Sequence, residues 1–291
     1  MYKGDISRLV VLVVMQFDFI ASTGRTATTF LAATLNSVDG IAACHEGYIG
    51  AEKGAKPLLP LINLENAQAY GKPKMAANIV AQKRNAKIFA ELAILPNVNR
   101  LIDVAYYNST IASEILNQNP QSRMIGIVRE CGAFVRSSTT ILGEDPLPVG
   151  WPDASKELSD REKFIAMGRI RPRRGSDEKA AWDDWSAIEK NIWLWRETNL
   201  LLADAQSEFP DRVRICRFET IKAMPDQFWS EMAGFLELPS TDKMPKAADK
   251  SKQNQKPSGY QIPNSKEWAP QEQDALINAQ RVVDRGLKYD W

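Results

Sequence analysis

The sequence predicts an α/β fold, a three-layer sandwich with a central, mostly parallel sheet and an anion-binding loop at its edge. Three observations predict it. Short apolar runs alternate with longer stretches of helical periodicity along most of the chain, the pattern of strands joined by crossover helices. The 291 residues are 44% hydrophobic, enough to bury a large core in a single domain spanning 1–291. The first apolar run passes through a turn of small and hydroxyl residues directly into a helical pattern.

The elements follow in order. Phe17 to Ala21 reads as a strand, and the apolar run Leu9 to Met15 as part of the same strand region. Phe30, Leu31, Thr34 and Leu35 share one face of a first helix. Ile41 to Cys44 is a short second strand, and Lys74 to Leu95 is helical, with Ile79, Ile88, Leu92 and Leu95 as apolar positions. Val98 to Ala105 reads as a third strand ending at Tyr106–Ser109, Ile111 to Leu116 as a helix, and Met124 to Val128 as the next strand. Trp182 to Phe209 reads as one long amphipathic helix whose Trp185, Ile188, Ile192, Trp195 and Leu202 pack into the core. The segment 143–177, rich in Pro, Gly and charge, reads as a lid or substrate-recognition insertion; its basic run Arg169–Arg174 is suited to an anionic acceptor or to covering a bound donor. The polar stretch 242–266 reads as a loop.

Ligands of such sheets bind beyond the carboxyl ends of the strands. Thr23 to Thr29, His45–Glu46, Tyr106–Asn108 and Arg129 all fall at such ends. The turn Ser22-Thr-Gly-Arg-Thr-Ala-Thr-Thr29 is suited to an anion. The free N–H groups of a first helical turn and the helix dipole favour negative charge there, and Arg25 and the hydroxyls add donors. The nucleotide P-loop pattern G-x-x-x-x-G-K-[ST] is absent, since no Gly-Lys pair stands in the turn.

Arg25-Thr26-Ala27-Thr28-Thr29 resembles the 5′-phosphosulfate loop of the sulfotransferase family, [KR]-[ST]-G-T-T, with Ala27 where the family has Gly. A second stretch, Met124 to Ser138, resembles the family's strand that ends in Arg with a Ser eight positions on; here these are Arg129 and Ser137. A third, Arg217-Phe-Glu-Thr-Ile221 followed by a helix ending Phe235-Leu-Glu-Leu-Pro239, is similar to a further family segment, and the stretch from Trp268 to Tyr289 to its closing helix.

The resemblance implies a P-loop-like, phosphosulfate-binding fold and 3′-phosphoadenosine 5′-phosphosulfate (PAPS) as donor, leaving as adenosine 3′,5′-bisphosphate, with no metal required. It implies that Thr23, Gly24, Arg25, Thr26, Ala27, Thr28 and Thr29 hold the 5′ end, and that Arg129 and Ser137 hold the 3′-phosphate. A basic, Gly-containing loop over that phosphate implies Lys256, Ser258 and Gly259. Some members use a Glu just after the second strand as the base, which implies Glu46. His45 either orients the site or is a hydrogen-bonded core residue, and strand alternation points it away from Glu46. Members with a His base carry it after a later strand, where this chain has Asp103, Tyr106 and Asn108. The implied acceptor is a hydroxyl of a small molecule, lipid or sugar.

Composition narrows the classes further. Thirty-seven Lys and Arg against 36 Asp and Glu give a net charge of +1, which argues against bulk electrostatic binding of nucleic acid. Cys44, Cys131 and Cys216 are odd in number and scattered among apolar runs, as expected of buried thiols in a reducing compartment. A single His excludes a multi-His metal centre. The apolar run near the N-terminus is too short to span a membrane, and the expected location is cytoplasmic. Two competing readings are a P-loop-type kinase, disfavoured by the missing Gly-Lys pair, and a non-catalytic binding protein of the same fold.

Overall fold

The computed structural model describes residues 15–45, 48–49, 65, 67, 69–72, 74–92, 97–139, 169–238 and 262–287. Its centre is a six-stranded sheet in the order β3-β2-β4-β1-β5-β6. The strands are β1 (Gln16–Ser22), β2 (Ile41–His45), β3 (Tyr48–Ile49), β4 (Arg100–Val104), β5 (Met124–Val128) and β6 (Val213–Arg217). β3 runs antiparallel to β2 at one edge, and the other neighbours are parallel. The helices are α1 (Thr28–Leu35), α2 (Lys74–Leu92), α3 (Ala112–Gln118), α4 (Cys131–Ser138), α5 (Asp177–Ala181), α6 (Ala187–Glu208), α7 (Phe218–Ala223), α8 (Pro225–Leu236) and α9 (Pro270–Leu287). A 3₁₀ turn, Tyr106–Ile111, follows β4.

Helices cover both faces, so the inner strands are apolar on both sides rather than alternating with polar residues. Period-two geometry sends β1 side chains to two separate cores. Phe17, Phe19 and Ala21 join Ile88, Ile115, Trp195, Leu202 and Val283 on the face of α2, α3, α6 and α9. Ile20 joins Leu31, Leu35, Ile102, Ile127, Phe228, Trp229 and Leu236 on the face of α1, α7 and α8. The predicted three layers are the observed ones. None of the described helices is long and apolar enough to cross a membrane.

Two element boundaries differ from expectation. The helix expected over 182–209 begins later, at Ala187, and the short α5 before it has already ended at Ala181. Ser186 accepts from the Glu189 N–H while Glu189 accepts from the Ser186 N–H, a capping box that starts a new helix despite the continuous apolar stripe. Tyr106–Ile111 is a tight 3₁₀ turn. It is held where the Asn108 side-chain amide donates to the Asp103 carbonyl (3.0 Å) and the Ala105 N–H to the Ile20 carbonyl (3.0 Å).

At the amino-terminal edge of the sheet, Asp18 is fully buried. Its carboxylate accepts from the Arg123 N–H at 2.8 Å and pairs with Arg100 at 3.2 Å, and Arg100 also donates to the Leu236 carbonyl at the end of α8. Burial outweighs these partners and pushes the Asp18 pKa up to about 6. A carboxyl raised in the folded state stabilises fully below its unfolded value near 3.8, and that contribution is lost as pH rises through about 6. Urea denaturation of the wild type against Asp18→Asn is expected to show the wild type losing about 2–3 kcal/mol, relative to the variant, between acidic and neutral pH. A pH-independent difference would overturn this assignment.

Candidate functional site

The carboxyl edge of the sheet presents, in spatial order, His45 (β2), Val104 (β4), Ser22 (β1), Val128 (β5) and Arg217 (β6). β1 is the switch point: the chain builds β2 and β4 on one side of it and β5 and β6 on the other, and sheets of this kind bind ligands at such a point. The loop Thr23–Ala27 lies there.

The loop is folded tightly. Thr23 extends the β1–β5 ladder by donating its N–H to the Ile127 carbonyl at 3.1 Å, and the Gly24 N–H donates to the Ser22 hydroxyl at 3.0 Å. Gly24, Arg25 and Ala27 have φ of 87°, 57° and 58°. A Cβ on Gly24 would stand 3.3 Å from the Tyr106 ring, so both its φ and the close approach require glycine.

Ala27 is the N-cap of α1 in a left-handed conformation, which explains why the resembling pattern has Gly there. Ala27→Gly is therefore expected to raise stability by about 0.5–1 kcal/mol in a denaturant melt. A loss of stability would show that the left-handed Ala carries no strain.

The N-terminus of α1 has no side-chain cap and no acidic residue in its first turn. The Thr23 and Thr26 hydroxyls are buried and have no hydrogen-bond partner among the described residues. A helix dipole, an uncapped helix start and unmatched hydroxyls together suit this loop to an anion. α4 contrasts with this, because its N-terminus is closed by Glu130, whose carboxylate accepts from the Gly132 N–H (2.7 Å) and the Ala133 N–H (2.6 Å).

Arg129 and Ser137 lie beside the loop. The Arg25 Nε donates to the Ser137 Oγ at 3.0 Å, and the Arg129 Nη1 donates to the Arg25 carbonyl at 2.7 Å. Two segments more than a hundred residues apart thus meet through the residues that the sequence singled out.

Sequence reasoning missed the groups that brace Arg129. Trp195 of α6, read only as core, donates its indole N–H to the Arg129 carbonyl at 2.7 Å. A buried indole needs an acceptor, and that requirement was the available signal. Phe218 lies 4.8 Å from the Arg129 guanidinium, and Glu219 accepts from the Glu130 N–H at 3.2 Å. The Arg217-Phe-Glu219 segment, the third stretch of the resemblance, therefore touches Arg129 and Glu130.

His45 ends β2, half-buried, with β4 between it and β1. Its Nδ1 is buried and has no hydrogen-bond partner among the described residues. Asp103 is fully buried and is occupied by Arg84, which donates Nε at 2.8 Å and also Nη2, and by the Cys44 thiol at 3.2 Å. A carboxylate so paired is not a free base, which removes one of the residues weighed for that role. Glu46, Lys256, Ser258 and Gly259 lie outside the described residues, as do 143–168 and 242–261.

This chain is similar to sulfotransferases of known structure. A sulfotransferase domain from the curacin biosynthetic pathway has 15% identity over 78% of this chain and 76% of that one, with a TM-score of 0.46. A sulfotransferase from Alicyclobacillus acidocaldarius has 12% identity over 95% and 96%, with a TM-score of 0.49. The sulfotransferase domain of the Synechococcus PCC 7002 olefin synthase has 13% identity over 95% of each chain, with a TM-score of 0.47. No protein-family model matches the chain, and no curated protein does.

Proposed function

We propose that this protein is a PAPS-dependent sulfotransferase acting on a hydroxyl of a small-molecule, lipid or sugar acceptor. The observation that carries the reading is the hydrogen-bonded junction of Arg25 with Ser137 and Arg129. It brings a 5′ anion loop and a 3′ phosphate pair into one crevice, as a nucleotide charged at both ends requires. The residues fit such a donor. The uncapped start of α1 and the unmatched Thr23 and Thr26 hydroxyls accept an anion, and Arg129 and Ser137 offer a fork and a hydroxyl to a second one.

Bound PAPS would supply the sulfuryl group, leaving negative charge on the 5′-phosphate. Arg25 and the N–H groups around Thr28 and Thr29 neutralise that charge in a site where they are already oriented. Arg129 and Ser137 hold the far end of the nucleotide and so fix its direction along the crevice. Glu46, just after β2, takes the proton of the acceptor hydroxyl, and His45, pointed the other way by strand alternation, is a positioning or core residue instead. Lys256, Ser258 and Gly259 are the remaining candidates to contact the 3′-phosphate.

A thermal-shift titration tests the donor. Adenosine 3′,5′-bisphosphate at a hundred times its dissociation constant is expected to add about 2.7 kcal/mol of stability, far more than ATP with Mg²⁺ at the same concentration. Equal stabilisation by ATP and Mg²⁺ would sink the reading in favour of a kinase. The Glu46→Gln protein is expected to bind the bisphosphate normally and to turn over about 10²–10⁴ times more slowly; full turnover assigns the base elsewhere.

A further inference from the structure

The peptide unit joining Arg129 to Glu130 is gripped at both ends. The Trp195 indole N–H donates to its carbonyl at 2.7 Å, and the Glu219 carboxylate accepts from its N–H at 3.2 Å. The peptide is trans, so these two groups point in opposite directions and need partners from two sides. The partners come from opposite faces of the sheet. Trp195 is fully buried in the core on the α6 face, and Glu219 lies in the first turn of α7, whose Ile221 packs in the other core.

Packing alone does not require the Trp195 contact. A phenyl ring would fill the core beneath α6 without needing an acceptor, whereas a buried indole N–H requires one. The Arg129 carbonyl lies past the β5–β6 ladder, whose last pair is Val128 with Arg217. It also lies before α4, where the Phe134 N–H donates to the Glu130 carbonyl at 2.9 Å. It thus belongs to neither repeating element, and Trp195 gives it a partner. The grip fixes the plane of the peptide, and with it the direction in which the Arg129 side chain leaves the backbone. Further out, the guanidinium stacks on Phe218 at 4.8 Å and donates to the Arg25 carbonyl at 2.7 Å. A planar fork takes a phosphate bidentately only when it is aimed, so a small backbone rotation is magnified at its tip.

We propose that Trp195 and Glu219 are positioning residues that aim Arg129 at the donor's 3′-phosphate through the peptide between Arg129 and Glu130. The inference rests on the sulfotransferase reading above. It adds two residues, on two other helices, on which discrimination for a 3′-phosphate depends.

The test is the ratio of the calorimetric affinities of the whole protein for adenosine 3′,5′-bisphosphate and adenosine 5′-monophosphate. Trp195→Phe keeps an aromatic ring and removes the N–H. It is expected to lower the ratio about three- to tenfold, the size of one hydrogen bond. Glu219→Ala is expected to do the same, and Glu219→Gln, which retains an acceptor oxygen, to stay within about twofold of the wild type. The double variant is expected to lose less than the product of the two single losses, because both act on one peptide. A brace that served stability alone would lower the melting temperature and leave the ratio unchanged, and that result overturns the proposal. So does a Glu219→Gln protein as impaired as Glu219→Ala, or a double variant whose losses multiply. Glu219 is half-exposed, so Glu219→Ala carries the test where Trp195→Phe does not fold. A wild type that binds the two nucleotides equally overturns the underlying sulfotransferase reading instead, which separates the two failures.

Discussion

Arg25→Met is expected to lower kcat about 10²–10³-fold while leaving the affinity for adenosine 3′,5′-bisphosphate within about tenfold of the wild type. Arg25 is half-buried in the tightest part of the loop, and its Nε already points at Ser137. Its charge matters most when the leaving phosphate gains charge, so its loss falls on the transition state more than on the ground state. The expected drop corresponds to about 2.7–4 kcal/mol. Methionine keeps an apolar stem of similar length, which limits the loss of packing. Single-turnover kinetics with saturating donor gives the number. A raised KM with unchanged kcat would make Arg25 a binding group only. Arg25→Lys separates charge from shape, and is expected to recover part of the rate because the point charge survives and the fork does not.

Arg129→Ala is expected to weaken binding of nucleotides with a 3′-phosphate by about 10²–10³-fold and to leave those without one nearly unaffected. Two charge-assisted hydrogen bonds of about 1.5–3 kcal/mol each account for that size. The informative quantity is the ratio of the two affinities, measured calorimetrically for adenosine 3′,5′-bisphosphate and adenosine 5′-monophosphate. Arg129 also donates to the Arg25 carbonyl and stacks on Phe218, so its removal loosens the loop as well. Loop loosening alone would weaken both nucleotides equally and leave the ratio unchanged, and that outcome refutes a 3′-phosphate role. Ser137→Ala removes one hydroxyl and is expected to cost about tenfold or less on the same ratio.

Much of the candidate site was legible because it lies in short contiguous stretches. Residues 23–29 were legible through local geometry, a turn that must reach positive φ and then open a helix. Arg129 and Ser137 were legible as a spacing, a strand end and a position on the helix that follows. Trp195, Phe218 and Glu219 were not, because their importance lies in what they touch across the sheet. Asp103 was ambiguous in sequence as a carboxylate at a strand end. Its pairing with Arg84, 19 residues upstream on α2, makes it structural. The break before α6 was encoded locally in Ser186 and Glu189, but the continuous apolar stripe masked it.

The sequence by itself determined the alternation of strands and helices, the anion loop with its Arg25, and the pair Arg129 and Ser137. Each depends on neighbours in the chain: periodicity, turn chemistry and caps. Only the tertiary structure decided that the loop and the pair meet through Arg25, Ser137 and Arg129, since strand order places β1 beside β5 and no local signal encodes that order. It also decided that Asp103 is sequestered by Arg84, and that Arg169 stacks on Tyr106. Buried ion pairs and ring stacking join residues remote in the chain, and their energies depend on burial and distance that exist only once the layers have packed.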